Sequence, residues 1–117
     1  MKIAVCAGEE SGDALGHELL VDLKKNIENL EVIGVGGSLM QGEGLKSFFP
    51  LKEISYMGLV DPLLNLRKIL KIRKNFINFL KKEKPDVFIG IDSPSFNSGI
   101  CKALRRDTNI KTVQYVC

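Results

Sequence analysis

The sequence predicts an α/β domain, a parallel β-sheet with helices packed on both faces. Two observations predict it. Short apolar runs at Lys2–Ala7, Glu31–Val35 and residues 86–91 have the composition of strands covered on both faces. Between them lie longer segments whose apolar residues recur at helical spacing. Strands alternating with helices call for right-handed crossovers and a Rossmann-like sheet.

Each element has its own justification. The first strand, Lys2–Ala7, closes on Gly8, and a helix over residues 12–26 follows. Leu15, Leu19, Leu23 and Ile27 recur every four residues, with Leu20 beside them, as one apolar stripe. Ser11 can cap the first turn, and Asp13 lies where the helix dipole favours an acid. The second strand, Glu31–Val35, closes on Gly36 and Gly37. A short helix over 38–41, broken by Gly42 and Gly44, leads to residues 47–50 as a third strand. After a loop containing Met57 and Gly58, a long helix runs over 62–82, with Pro62 in its first turn and Pro85 beyond its end. Residues 86–91, D-V-F-I-G-I, form the clearest buried strand. Pro94 and Asn97 mark a turn into a helix over 98–106, and residues 111–116 form the last strand. There is no internal repeat or linker.

Bulk properties bound the function. A chain of 117 residues is one domain, with room for a core but small for a complete two-substrate enzyme. No run approaches the roughly 18 apolar residues of a spanning helix, and the start, MKIAVCAGEE, turns acidic too early for a signal peptide. Cys6, Cys101 and Cys117 are odd in number and lack metal spacing, so reduced thiols in a cytoplasmic setting are expected. The net charge of +3 is uneven: residues 63–84 carry eight bases against the single acid Glu83. The positive charge is thus concentrated in one segment, which bears on partners.

Ligands of an open parallel sheet bind beyond the carboxyl ends of the strands. Here the unusual polar and glycine clusters fall at those ends. In A-G-E-E-S-G-D-A-L-G, residues 7–16, Gly8 and Gly12 allow a sharp turn from strand to helix, and Gly16 lets the helix lie close to the sheet. Glu9, Glu10 and Asp13 would repel a pyrophosphate, and the spacing is not that of a dinucleotide loop. A polyhydroxylated ligand such as a sugar, bonded by the carboxylates and Ser11, fits better. A tight turn whose acids serve only the dipole fits equally. Gly36 and Gly37 either admit a ligand to the backbone or merely shape a turn. Asp92 emerges at the end of the clearest strand. It can accept a proton from an alcohol, or it can cap the following helix, beside Asn97, which reads as a capping residue. His17 is the only histidine and falls off the apolar stripe, so a histidine metal cluster is excluded. Neither a metal nor another cofactor is expected.

The long helix raises a separate question. Leu59, Val60, Leu63, Leu66, Ile69 and Leu70 are too many apolar residues for one buried stripe, and bases including Arg67 sit among them. The pattern suits a helix resting on anionic lipid. It also suits a core helix with a solvated basic face. Nucleic acid is not favoured, because aromatics for stacking are lacking and the rest of the chain is acidic.

Together these segments resemble the amino-terminal part of the lipid-A-disaccharide synthase family. The matching blocks are A-G-E-E-S-G-D-A-L-G, G-V-G-G-S-L-M with G-E-G after it, F-P-L-K-E-I-S-Y-M-G-L-V, K-P-D-V-F-I-G-I-D-S-P-S-F-N and T-V-Q-Y-V. The resemblance covers nearly the whole chain in the right order. It implies the acceptor-side, N-terminal half of a GT-B glycosyltransferase, whose UDP-binding domain is absent from these residues. The implied hexosyl transfer takes 2,3-diacylglucosamine from its UDP donor to the 6-hydroxyl of 2,3-diacylglucosamine 1-phosphate (lipid X), with inversion. Asp92 matches the family's proposed base. Gly8, Glu9, Ser11, Gly12, Asp13, Gly36, Gly37, Met57 and Asn97 are the implied substrate contacts. The Leu59–Leu70 region becomes a membrane-facing patch on the cytoplasmic face of the inner membrane, with room for a homo-oligomer of the full-length protein. Ser95 stands where the family commonly has aspartate, Gln114 where it has histidine and Cys117 where it has serine. The family's chain is much longer, so these residues alone are expected to transfer no sugar. The reading from another class is a noncatalytic α/β module that binds a nucleotide or phosphorylated ligand.

Overall fold

The computed structural model describes residues 1–53, 63–92 and 94–115, with residues 94 and 95 described by their backbone alone. Among the described residues five strands form one sheet: β1 (Lys2–Ala7), β2 (Glu31–Val35), β3 (Lys46–Ser47), β4 (Val87–Ile91) and β5 (Lys111–Tyr115). The order is β3-β2-β1-β4-β5, and every pairing is parallel. The register aligns Cys6 with Val35 and with Gly90, and Ile91 with Tyr115, so the carboxyl ends form one rim.

Among the described residues the sheet is flanked by α1 (Glu10–Asn26), α2 (Ser38–Gly42), α3 (Leu66–Glu83) and α4 (Pro94–Asp107). Strand alternation divides them into two cores. Ala4, Cys6, Ile33, Val35 and Phe88 point to one face, where they meet Phe76 and Leu80 of α3 and Phe96, Ile100 and Leu104 of α4. Ile3, Val5, Ala7, Val32, Ile89 and Ile91 point to the other, where they meet Leu20 of α1 and Met40 of α2. The doubly wound architecture expected from the alternating pattern is therefore present. Gly16 keeps α1 close to its neighbours, since a Cβ there would collide with the thioether of Met40 and approach Ile91 Cδ1 to 3.0 Å.

Several boundaries differ from those read in the sequence. α1 begins at Glu10, with Asp13 N–H donating to Glu9 C=O at 3.1 Å, so Ser11 lies inside the first turn rather than at the cap. α4 begins at Pro94, not near 98, because the fixed φ of proline suits a first helical turn. β3 is shorter and earlier than residues 47–50. After it, Ser47 Oγ donates to Phe49 C=O at 2.7 Å and turns the chain. The long helix, expected from Pro62, begins at Leu66 with Asn65 at its cap, while Pro62 itself lies outside the described residues; the helix ends before Lys84, which is left-handed (φ 51°) ahead of Pro85.

Candidate functional site

Asp92 lies one residue beyond β4, with φ at +54°, a left-handed conformation that aspartate adopts far less readily than glycine. Three elements hold it there. Its N–H donates to Tyr115 C=O of β5 at 3.3 Å. Its C=O accepts from Asn97 Nδ2 at 2.8 Å and from Gln114 Nε2 at 3.4 Å. Its carboxylate accepts from Ser11 Oγ, on the first turn of α1, through Oδ2 at 3.2 Å. The side chain remains partly exposed. A carboxylate so placed can receive a proton from a bound alcohol.

Asn97 does not cap a helix. It lies within α4, 0% exposed, and its Nδ2 also donates to Cys6 C=O at 3.2 Å and Ile91 C=O at 3.3 Å. One amide thereby joins the ends of β1 and β4 to Asp92. This requires Gly90, where a Cβ would come within 2.9 Å of Asn97 Cβ.

At the other end of the rim, Asp13 is 5% exposed and faces α2. Oδ1 accepts from Gly37 N–H at 2.8 Å and Met40 N–H at 3.1 Å, while Oδ2 accepts from Leu39 N–H at 3.1 Å. A carboxylate of α1 thus caps α2 from outside, a stabilising use of helix-end donors. The expectation placed Asp13 in its own helix dipole. Its partner helix was missed, although Asp13, Gly16 and Leu20 share one buried helix face at i, i+3 and i+7 spacing. Gly37 is pressed against it, since a Cβ there would lie 2.6 Å from Asp13 Oδ2. Gly36 N–H donates to Ser47 Oγ at 3.3 Å, and its C=O accepts from Gln41 Nε2 at 3.0 Å.

Between these parts lie the end of β1 and the first turn of α1. Gly8 is buried just past β1, Glu9 and Glu10 are exposed at the start of α1, and Gly12 brings α1 so close that a Cβ would meet Ala7 Cβ at 3.2 Å. A cavity of about 500 Å³ lies beside α2, bounded by Glu10, Asp13, Gly37, Ser38, Leu51 and Lys52. With the Gly37, Leu39 and Met40 N–H groups already bonded to a carboxylate, this cavity suits hydroxyl groups better than an anion. His17 is half-exposed on α1, its Nδ1 3.2 Å from Leu39 C=O, and joins no catalytic group. Burial pushes the thiols of Cys6 and Cys101 up, each more strongly than any neighbouring charge, so both are poor nucleophiles. Among the described residues no group of three or more His, Cys, Asp or Glu side chains could hold a metal ion.

The basic segment has a divided surface. Ile69 packs against the core, whereas Leu63 and Leu64 are 85% and 80% exposed and Leu66 and Leu70 are also exposed, with Arg67 and Lys68 among them. Met57, Leu59 and Val60, expected in the site and the patch, lie outside the described residues. No helix among the described residues is long and apolar enough to cross a membrane.

The profile of the lipid-A-disaccharide synthetase family matches residues 3–117. This chain belongs to that family. It is similar to the lipid-A-disaccharide synthase of Pseudomonas fluorescens strain Pf0-1, 55% identical over 116 residues, which cover 99% of this chain and 31% of the relative. The lipid-A-disaccharide synthase of Pseudomonas syringae pv. tomato is 51% identical over 116 residues, covering 99% of this chain and 30% of the relative. A Pseudomonas putida relative of the same name is 52% identical over 114 residues, covering 97% and 30%. The chain therefore spans about a third of the length of the lipid-A-disaccharide synthases it matches. The aspartate, serine and asparagine of the rim all fall within the matched residues.

Proposed function

We propose that these residues form the acceptor-side half of an inverting glycosyltransferase. In the reading that fits best, the 6-hydroxyl of 2,3-diacylglucosamine 1-phosphate lies against Asp92. Its oxygen attacks the anomeric carbon of UDP-2,3-diacylglucosamine as the proton passes to the Asp92 carboxylate. The bond from the anomeric carbon to the diphosphate breaks, UDP leaves with the electron pair, and configuration at that carbon inverts. The donor's nucleotide would be held by the part of the relatives' length that this chain does not span. Helix ends and side chains there would stabilise the leaving diphosphate. Family membership supports the reaction class, and one observation carries the residue: a partly exposed carboxylate fixed in a left-handed conformation at the strand rim. The carboxylates of Glu9 and Glu10 and the Ser38 hydroxyl suit a sugar, and the carboxylate of Asp13 at the α2 end weighs against the nucleotide-binding module. Asp92→Asn in the full-length protein should lower kcat by about 10² to 10⁴, with the acceptor KM nearly unchanged. Retained turnover would remove Asp92 as the base.

Both substrates of this reaction carry acyl chains, and we place the enzyme peripherally on the cytoplasmic face of the inner membrane. The exposed Leu63, Leu64, Leu66 and Leu70, with Arg67, Lys68 and Lys71 around them, support that placement. Full-length protein should float with vesicles of phosphatidylglycerol and phosphatidylethanolamine, and the Leu63→Glu/Leu66→Glu double variant should float several-fold less. Equal flotation of the two proteins would show that this patch does not touch lipid.

A further inference from the structure

Ser11 has two uses open to it on the rim, and the geometry separates them. It stands in the first turn of α1, where a serine ordinarily bonds a backbone N–H of its own helix. The residue in the capping position is Glu9, which makes no side-chain bond to the helix. The Ser11 hydroxyl instead crosses to the neighbouring strand end and donates to Asp92 Oδ2 at 3.2 Å, across 81 residues of chain. It is the one hydrogen bond reaching the Asp92 carboxylate among the described residues. The other hydrogen bonds among the described residues fix the Asp92 backbone: Tyr115 C=O on its N–H, and Asn97 and Gln114 on its C=O. A backbone held in this way leaves the side-chain torsions to be settled by whatever bonds the carboxylate. A single donor on Oδ2 settles them and leaves Oδ1 without a hydrogen bond among the described residues.

We propose that Ser11 is a positioning residue for Asp92: its hydroxyl holds Oδ2, so that Oδ1 meets the acceptor alcohol, and it makes no contact of its own with the sugar. The inference rests on the reading of Asp92 as the base. It accounts for a serine on an exposed first turn that caps nothing, and it assigns α1 the task of aiming a residue of β4. A hydroxyl that orients a proton acceptor changes the rate of the chemical step. A hydroxyl that binds sugar changes ground-state affinity.

The test is steady-state kinetics of the full-length protein, with Ser11→Ala, Ser11→Thr, Asp92→Asn and the Ser11→Ala/Asp92→Asn double variant. Ser11→Ala should lower kcat about tenfold, with KM for both substrates within about twofold. Ser11→Thr, which keeps the hydroxyl, should recover most of the loss. In the Asp92→Asn background, Ser11→Ala should lower the residual rate no further, since the two residues act as one unit. A raised acceptor KM with kcat retained would make Ser11 a sugar contact and overturn the proposal, as would additive losses in the double variant or an unchanged kcat. Full turnover by Asp92→Asn would instead overturn the reading of the base, and the proposal with it. Ser11 is exposed, and an unchanged KM shows that the variant is folded.

Discussion

Asp13 and Asp92 lie on the same rim, each beside a glycine-bearing strand end, and the fold uses them in opposite ways. Asp13 is buried, and its two oxygens take the N–H groups of Gly37, Leu39 and Met40. Asp92 is partly exposed, its backbone is held by three groups, and among the described residues its carboxylate receives only the Ser11 hydroxyl. A carboxylate saturated by backbone donors is committed to structure, because removing it leaves several buried N–H groups unpaired. A carboxylate whose backbone is fixed while its oxygens stay accessible is prepared to meet something else. Two acids of one motif-rich rim thus divide into an anchor and a reactive group, and hydrogen-bond accounting tells them apart.

The comparison can be broken by substitution, with stability as the readout. The largest effect is expected at Asp13. Asp13→Ala should destabilise the chain by about 2–4 kcal/mol in urea denaturation, since three N–H groups at the start of α2 lose their acceptor. A loss below about 0.5 kcal/mol would show that water satisfies those donors and that Asp13 is no anchor. A smaller effect of opposite sign is expected at Asp92. Asp92→Gly relieves the left-handed backbone and should leave stability unchanged or raise it by up to about 1 kcal/mol. The full-length protein carrying that substitution should lose turnover. A clear destabilisation by Asp92→Gly would mean that the Ser11 bond holds the fold together, and the division between the two acids would fail.

The site was unequally legible in the sequence. Asp92 could be placed because five apolar or small residues precede it, which fixes a strand and therefore its end. Its left-handed φ could not be read, because nothing local demands it. The bonds that hold it come from Asn97, Gln114 and Tyr115, two of them on a strand that follows a whole helix later. Asn97 looked like a cap because asparagine after a proline favours turns. Burial between β1 and β4 turned the same amide into a tie among three carbonyls. Helix starts were misplaced by two residues at α1 and four at α4, as cap geometry depends on flanking backbone that propensity does not specify.

What the sequence determined alone is the class of fold and the rim where chemistry belongs. The period of its apolar residues sets strand against helix, and strands buried on both faces must be parallel and flanked by helices. The tertiary structure alone decided which acid does what. Asp13 and Asp92 are chemically identical side chains, and their roles diverge only through partners 24 to 27 and 81 residues away along the chain. Distant partners meet through sheet order and helix packing, and no local pattern encodes those contacts.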